Sequence, residues 1–185
     1  GDEVYHEKDL EKIQSSMQAH VDDQNVEALV VDFYHFYGNA NSYLSSPGWY
    51  RSEARIIKNS IRSYAPDGLF WLVLDRNKKG RYPKAKHTAV HCYHYGWIRS
   101  EDEMNLKSEK VQKYWSGKPV KIDYSQMDQS IIKQFSGTHP AVVHDWLPRA
   151  EGIFQVDRKY KLTKKQKKHR IMLKLEKLFG LELSK

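Results

Sequence analysis

Residues 28–38 read ALVVDFYHFYG, a run dominated by β-branched and aromatic side chains that stops at Gly38-Asn39. Such side chains crowd the preceding turn of a helix but pack well on a pleated surface, so the run is predicted to be a strand. Two more apolar runs, LFWLVL (69–74) and HTAVHCYHYGW (87–97), have the same character. WYRSEARIIKN (49–59) is predicted as another strand, with Ala54, Ile56 and Ile57 among basic residues. The intervening NANSYLSSPGW (39–49) reads as a loop turning at Pro47-Gly48, and RNKKGRYPKAK (76–86) as a charged hairpin-like loop.

Helical spacing appears elsewhere. Leu10, Ile13 and Met17 recur at helical intervals over residues 7–20, with Val21 next in the series just beyond. From Ser100 the pattern changes again, with Glu103 three residues on in a capping-box arrangement ahead of a helix. DYSQMDQSIIKQF (123–135) reads as a short helix stopping at Gly137, and Pro140 stands at the start of AVVHDWL. The tail LTKKQKKHRIMLKLEKLFG is predicted helical, with Leu162, Ile171, Leu175 and Leu178 on one side. Strands followed by helices imply an α/β or α+β fold.

Charge is segregated. The chain of 185 residues carries +8, and the stretch Asp157–Lys185 alone holds eleven Lys/Arg against three Asp/Glu. The remainder balances to zero, which divides the sequence into residues 1–156 and a basic helical tail, 157–185. The single cysteine, Cys92, excludes an internal disulfide and a cysteine-based zinc site, and fits a reducing, cytoplasmic setting. No apolar run is long enough to span a bilayer.

Three constellations carry candidate chemistry. Asp2-Glu3 is a hard-oxygen pair suited to magnesium or manganese, although acidic pairs also serve helix starts. In HCYHYGW (91–97), strand alternation puts His91, Tyr93 and Tyr95 on one side and Cys92, His94 and Gly96 on the other. His91 and His94 therefore do not chelate one ion together, and Gly96 allows a close approach or a bend. Arg51 and Arg55 share one strand face, with Lys58 on the other, and guanidinium groups suit a phosphate or diphosphate. Asp67, in the loop APDG, is a further carboxylate that could act as a general base, although an aspartate before glycine is first of all a turn residue.

GDEVYHE (1–7), GWYRSEARIIKN (48–59), HYGWIRSEDEM (94–104) and GTHPAVVHDWL (137–147) together resemble bacterial glycosyltransferases of the family 2 type with the GT-A fold. The resemblance implies a partial GT-A-type mixed sheet with flanking helices, representing the C-terminal, acceptor-side portion of a longer catalytic domain that begins at its D-x-D-like motif. It implies an enzyme that moves a sugar from a nucleotide-sugar donor to a saccharide or lipid-linked acceptor in cell-surface polysaccharide synthesis. Asp2 with Glu3, and His94 from the opposite side, would hold a divalent manganese or magnesium ion on the donor diphosphate. Arg51, Arg55, Lys58, Tyr95, Trp97 and Arg99 would line the donor or acceptor cleft. Asp67 and Glu53 are the candidate carboxylates for deprotonating an acceptor hydroxyl.

Two other functions are compatible with the residues. A fragment without independent catalysis would bind acceptors through tryptophans such as Trp49, Trp71, Trp97, Trp115 and Trp146. A nucleic-acid module would use KKQKKHR, but an electrically neutral main domain argues against it, and no nucleic acid is expected. The tail is either a solvated helix or a peripheral contact with the anionic inner face of a membrane.

Overall fold

A computed structural model describes residues 2–66, 68, 70–115, 121–147 and 152–182, with the backbone alone for 112–115. Along the chain run β1 (Glu3–Tyr5), a 3-10 turn, α1 (Leu10–His20), β2 (Ala28–Tyr37), β3 (Asn39–Leu44), β4 (Ser52–Ile57), β5 (Ser63–Tyr64), β6 (Leu72–Leu74), β7 (Gly80–Arg81) and β8 (Ala85–Trp97). Then come α2 (Glu101–Trp115), β9 (Ile132–Gln134) and α3 (Lys164–Phe179). A mixed sheet runs in the order β1-β8-β2-β3-β9, with β4 also on β2, and β5-β6-β7 form a small second sheet. Helices with a mixed sheet make this an α/β protein.

Contacts divide the chain into two compact units. One comprises Gly1–Glu3, Tyr34–Tyr50 and His94–Lys185; the other comprises Val4–Phe33 and Arg51–Tyr93. The division falls inside β2 and inside β8.

In the second unit the first half of β2 pairs antiparallel with β4, and the register skips from Leu29↔Ile56 to Val30↔Ala54. Arg55 is the extra residue of this bulge, so simple alternation does not carry from Arg51 to Arg55. Val31 and Val73 are fully buried. Arg81 grips Glu27 with two bonds of 2.6 and 2.7 Å, and the Lys84 N–H donates to the same carboxylate. The α1 stripe stays open: Leu10, Met17 and Val21 are each about half exposed, and none of the helix is buried.

The first unit centres on Tyr37, Leu44, Met104, Tyr124, Ile131, Ile132 and Leu173, with Trp49, Trp97 and Phe154 packed against them. Gly38, at φ +70°, turns β2 into β3 against the Phe154 ring. The polar NANSYL segment, expected as loop, is strand β3: Ala40, Ser42 and Leu44 alternate inward, and it pairs with both β2 and β9. Pairing on both sides overrides weak strand propensity. Likewise IKQ forms β9 rather than the end of a helix, after a 3-10 turn capped by Asp128. Ser100 and Glu103 form the expected cap at the start of α2.

Helix α3 opens with a Thr163–Gln166 capping box and closes on left-handed Gly180. Leu173 and Glu176 are buried, whereas Ile171, Leu175 and Leu178 are exposed. Arg170 holds the buried Asp128 carboxylate with bonds of 2.6 and 2.7 Å, and that pairing sets the helix's rotation.

Candidate functional site

A main-chain bond fixes Asp2: the Tyr95 N–H donates to its carbonyl oxygen at 2.7 Å. The Asp2 carboxylate then comes to 3.9 Å from His94 Nε2, with the histidine side chain 13% exposed and the aspartate 37%. Lys107, from α2, donates to the same Asp2 oxygen at 3.3 Å. Burial opposes ionisation of Asp2, but attraction to His94 in its protonated form and to Lys107 outweighs it and holds the carboxyl below its usual range.

The orientation of His94 follows from a residue the sequence reading passed over. His35 Nε2 lies 2.7 Å from the Tyr50 carbonyl oxygen, and its Nδ1 lies 2.9 Å from His94 Nδ1. A carbonyl only accepts, so His35 carries its proton on Nε2, and a neutral His35 accepts at Nδ1. With both rings neutral, His94 donates from Nδ1, and its lone pair sits on Nε2, the atom turned toward Asp2. A histidine held through one nitrogen so that the other is presented is the arrangement metal-binding sites use. His35 is 1% exposed and packs against the Tyr50 and Trp49 rings. Within an aromatic strand it reads as packing, and its only sequence signal was being a histidine among apolar neighbours.

Gly96 completes the arrangement. A Cβ there would lie 2.7 Å from His94 Nε2 and 2.9 Å from Asp2 Oδ2, so the missing side chain is the space into which both groups point.

The other candidates fall in several places. Glu3 opens β1 one residue after Asp2, exposed, and strand alternation turns it to the other side. Among the described residues no three His, Cys, Asp or Glu side chains form a ready metal group. Tyr95 is buried, stacked on Phe36 at 4.9 Å, with its hydroxyl 3.0 Å from His139 Nδ1 and Trp146 set edge-on against it. Trp97 packs with Trp49, Tyr37 and Tyr124, and Arg99 is exposed beyond β8. Arg51, Glu53, Arg55 and Lys58 belong to the second unit. There Arg55 lies 4.8 Å over the Phe33 ring, Lys58 donates to the Asp23 carbonyl, and Glu53 pairs opposite Val31. Asp67 lies outside the described residues. His91 is half-buried, which pushes its pKa down.

One carboxylate oxygen and one imidazole nitrogen 3.9 Å apart can bracket an ion whose ligand distances are about 2.1 Å. The pair fits a divalent cation that takes its remaining ligands from phosphate oxygens and water, as magnesium and manganese do. No family model, no curated protein and no solved structure matches the chain.

Proposed function

We propose that this chain carries the metal- and acceptor-side chemistry of a sugar transferase that uses a nucleotide-sugar donor, in the manner of GT-A glycosyltransferases. The observation that carries the reading is the convergence of Asp2 and His94 at 3.9 Å, over a glycine whose missing side chain lets both groups approach. Breaking a sugar–phosphate bond releases a nucleoside diphosphate, and a bound manganese or magnesium ion supplies the charge that stabilises it. Asp2 and His94 would hold that ion, His35 keeps Nε2 of His94 presented, and Lys107 adds a cation on the same rim. The proton of the acceptor hydroxyl passes to a carboxylate. The acceptor is a saccharide or lipid-linked saccharide.

Isothermal titration with manganese alone, and then with manganese and UDP or GDP, tests the reading. Expected are saturable binding by the full chain, tighter in the presence of the diphosphate, and a loss of about 10-fold or more in Asp2→Asn and in His94→Gln. Affinity unchanged in both variants, with their folds intact, would remove the basis of the proposal.

A further inference from the structure

Helix α3 has two faces with different partners. Inward, Leu173 is part of the first unit's core, Glu176 is buried, Arg170 holds Asp128, and His169 lies against Gly48. Outward, Ile171, Leu175 and Leu178 recur at i, i+4 and i+7 with exposures of 59, 40 and 75%. Phe179 and Leu181 extend that stripe at 65 and 64%. Helical spacing puts Lys164, Lys167 and Lys168 on the same face toward the N-terminus, with Lys174 beside the apolar stripe. The helix's one acidic side chain, Glu176, is on the packed face, so the outward face is basic and apolar only.

Beside this face a groove of about 530 Å³ is lined by Gln129, Ser130, Arg170, Leu173, Lys174 and Lys177. It sets two lysines next to a hydroxyl, with room for an anionic headgroup.

We infer that this face of α3 docks on an anionic phospholipid bilayer, with the helix in the plane of the interface, its Leu/Ile/Phe stripe among the acyl chains and its lysines at the headgroups. Sixteen helical residues lay down about 24 Å of such a surface. Lysine-flanked apolar stripes gain both from burial of the apolar side chains and from attraction to anionic lipid. A nucleic acid would use the lysines but offers no apolar phase to the exposed leucines, which favours the bilayer. The inference stands on α3 alone and is independent of the metal site.

Co-sedimentation of the full chain with vesicles tests it, using phosphatidylcholine alone and phosphatidylcholine with phosphatidylglycerol. Expected is binding only to the anionic vesicles, reduced by about 30-fold in Lys167→Gln/Lys168→Gln. It should be abolished in Leu175→Glu/Leu178→Glu, whose exposed positions leave the circular dichroism spectrum unchanged. Because Cys92 is fully buried, Leu178→Cys takes a polarity-sensitive dye selectively, and its emission should shift to the blue on vesicles. No binding, equal binding to neutral vesicles, or no blue shift overturns the inference. Salt-sensitive RNA binding that survives Leu175→Glu/Leu178→Glu, without vesicle binding, overturns it in favour of a nucleic-acid surface.

Discussion

A methyl group at position 96 would lie 2.7 Å from His94 Nε2 and 2.9 Å from Asp2 Oδ2, closer than real Cβ atoms come to their neighbours. Gly96→Ala should therefore cost about 1–3 kcal/mol as overpacking and push at least one of the two groups aside. Manganese affinity should fall about 10-fold or more, read by titration, while a thermal melt shows a folded protein. Unchanged affinity would mean that Asp2 and His94 do not hold the ion. His35 gives a second case. Its replacement by leucine strips His94 Nδ1 and the Tyr50 carbonyl of a shared partner, at about 1–3 kcal/mol in chemical denaturation. Manganese affinity should fall a further 10- to 100-fold, as loss of an outer-shell partner does. The pairing of Asp2 with His94 was anticipated from sequence, because each matches a segment of the resemblance. His35 and Lys107 were not, since hydrogen bonds made 59 and 105 residues apart leave no local pattern to read.

Elements were legible where local chemistry is strong and illegible where pairing decides. The aromatic run of β2, the Ser100 cap of α2 and the Gly180 end of α3 are written in adjacent residues. Strand β3 is Asn- and Ser-rich, and only its neighbours β2 and β9 make it a strand. On α3 the side legible in the sequence, with Ile171, Leu175 and Leu178, is the exposed one, while the packed side rests on Leu173, Glu176 and the Arg170–Asp128 ion pair, which no local pattern marks. That pair can be tested. Arg170→Ala leaves the Asp128 carboxylate, 2% exposed, without its guanidinium, and should cost about 2–3 kcal/mol in a denaturant melt. Burial raises the Asp128 pKa, but bonds from Arg170 and Ser130 more than offset that and leave it below the ordinary value. A depressed folded-state pKa stabilises above the unfolded value of about 3.9, and that stability is lost as the pH falls through the folded value. Stability of the native chain should thus drop below about pH 4, and Arg170→Ala should flatten that part of the profile. An identical slope in the variant would assign the acid sensitivity elsewhere, with Glu27 next in line, since its bond to Arg81 lowers its pKa to about 2.

Charge and packing divide the whole molecule differently. Packing ties the tail into the first unit through Leu173 and Arg170. Charge sets it apart, because the excess of +8 resides entirely in residues 157–185. Among the described residues no helix is long and apolar enough to cross a membrane. The docking proposed for α3 draws on this charge and the exposed stripe beside it. Reversing Lys164, Lys167, Lys168 and Lys174 to glutamate brings the formal net charge from +8 to zero. All four are exposed, and Lys164 and Lys167 lie in the first turn of α3, where acidic side chains favour the helix. The fold should therefore persist while the field changes. On a heparin column at low salt the native chain should be retained and elute as ionic strength screens its lysines, and the four-fold variant should pass through. Retention of the variant at the same salt would show that Arg and Lys clusters in residues 1–156 form a basic surface of their own, despite balancing to zero in sum.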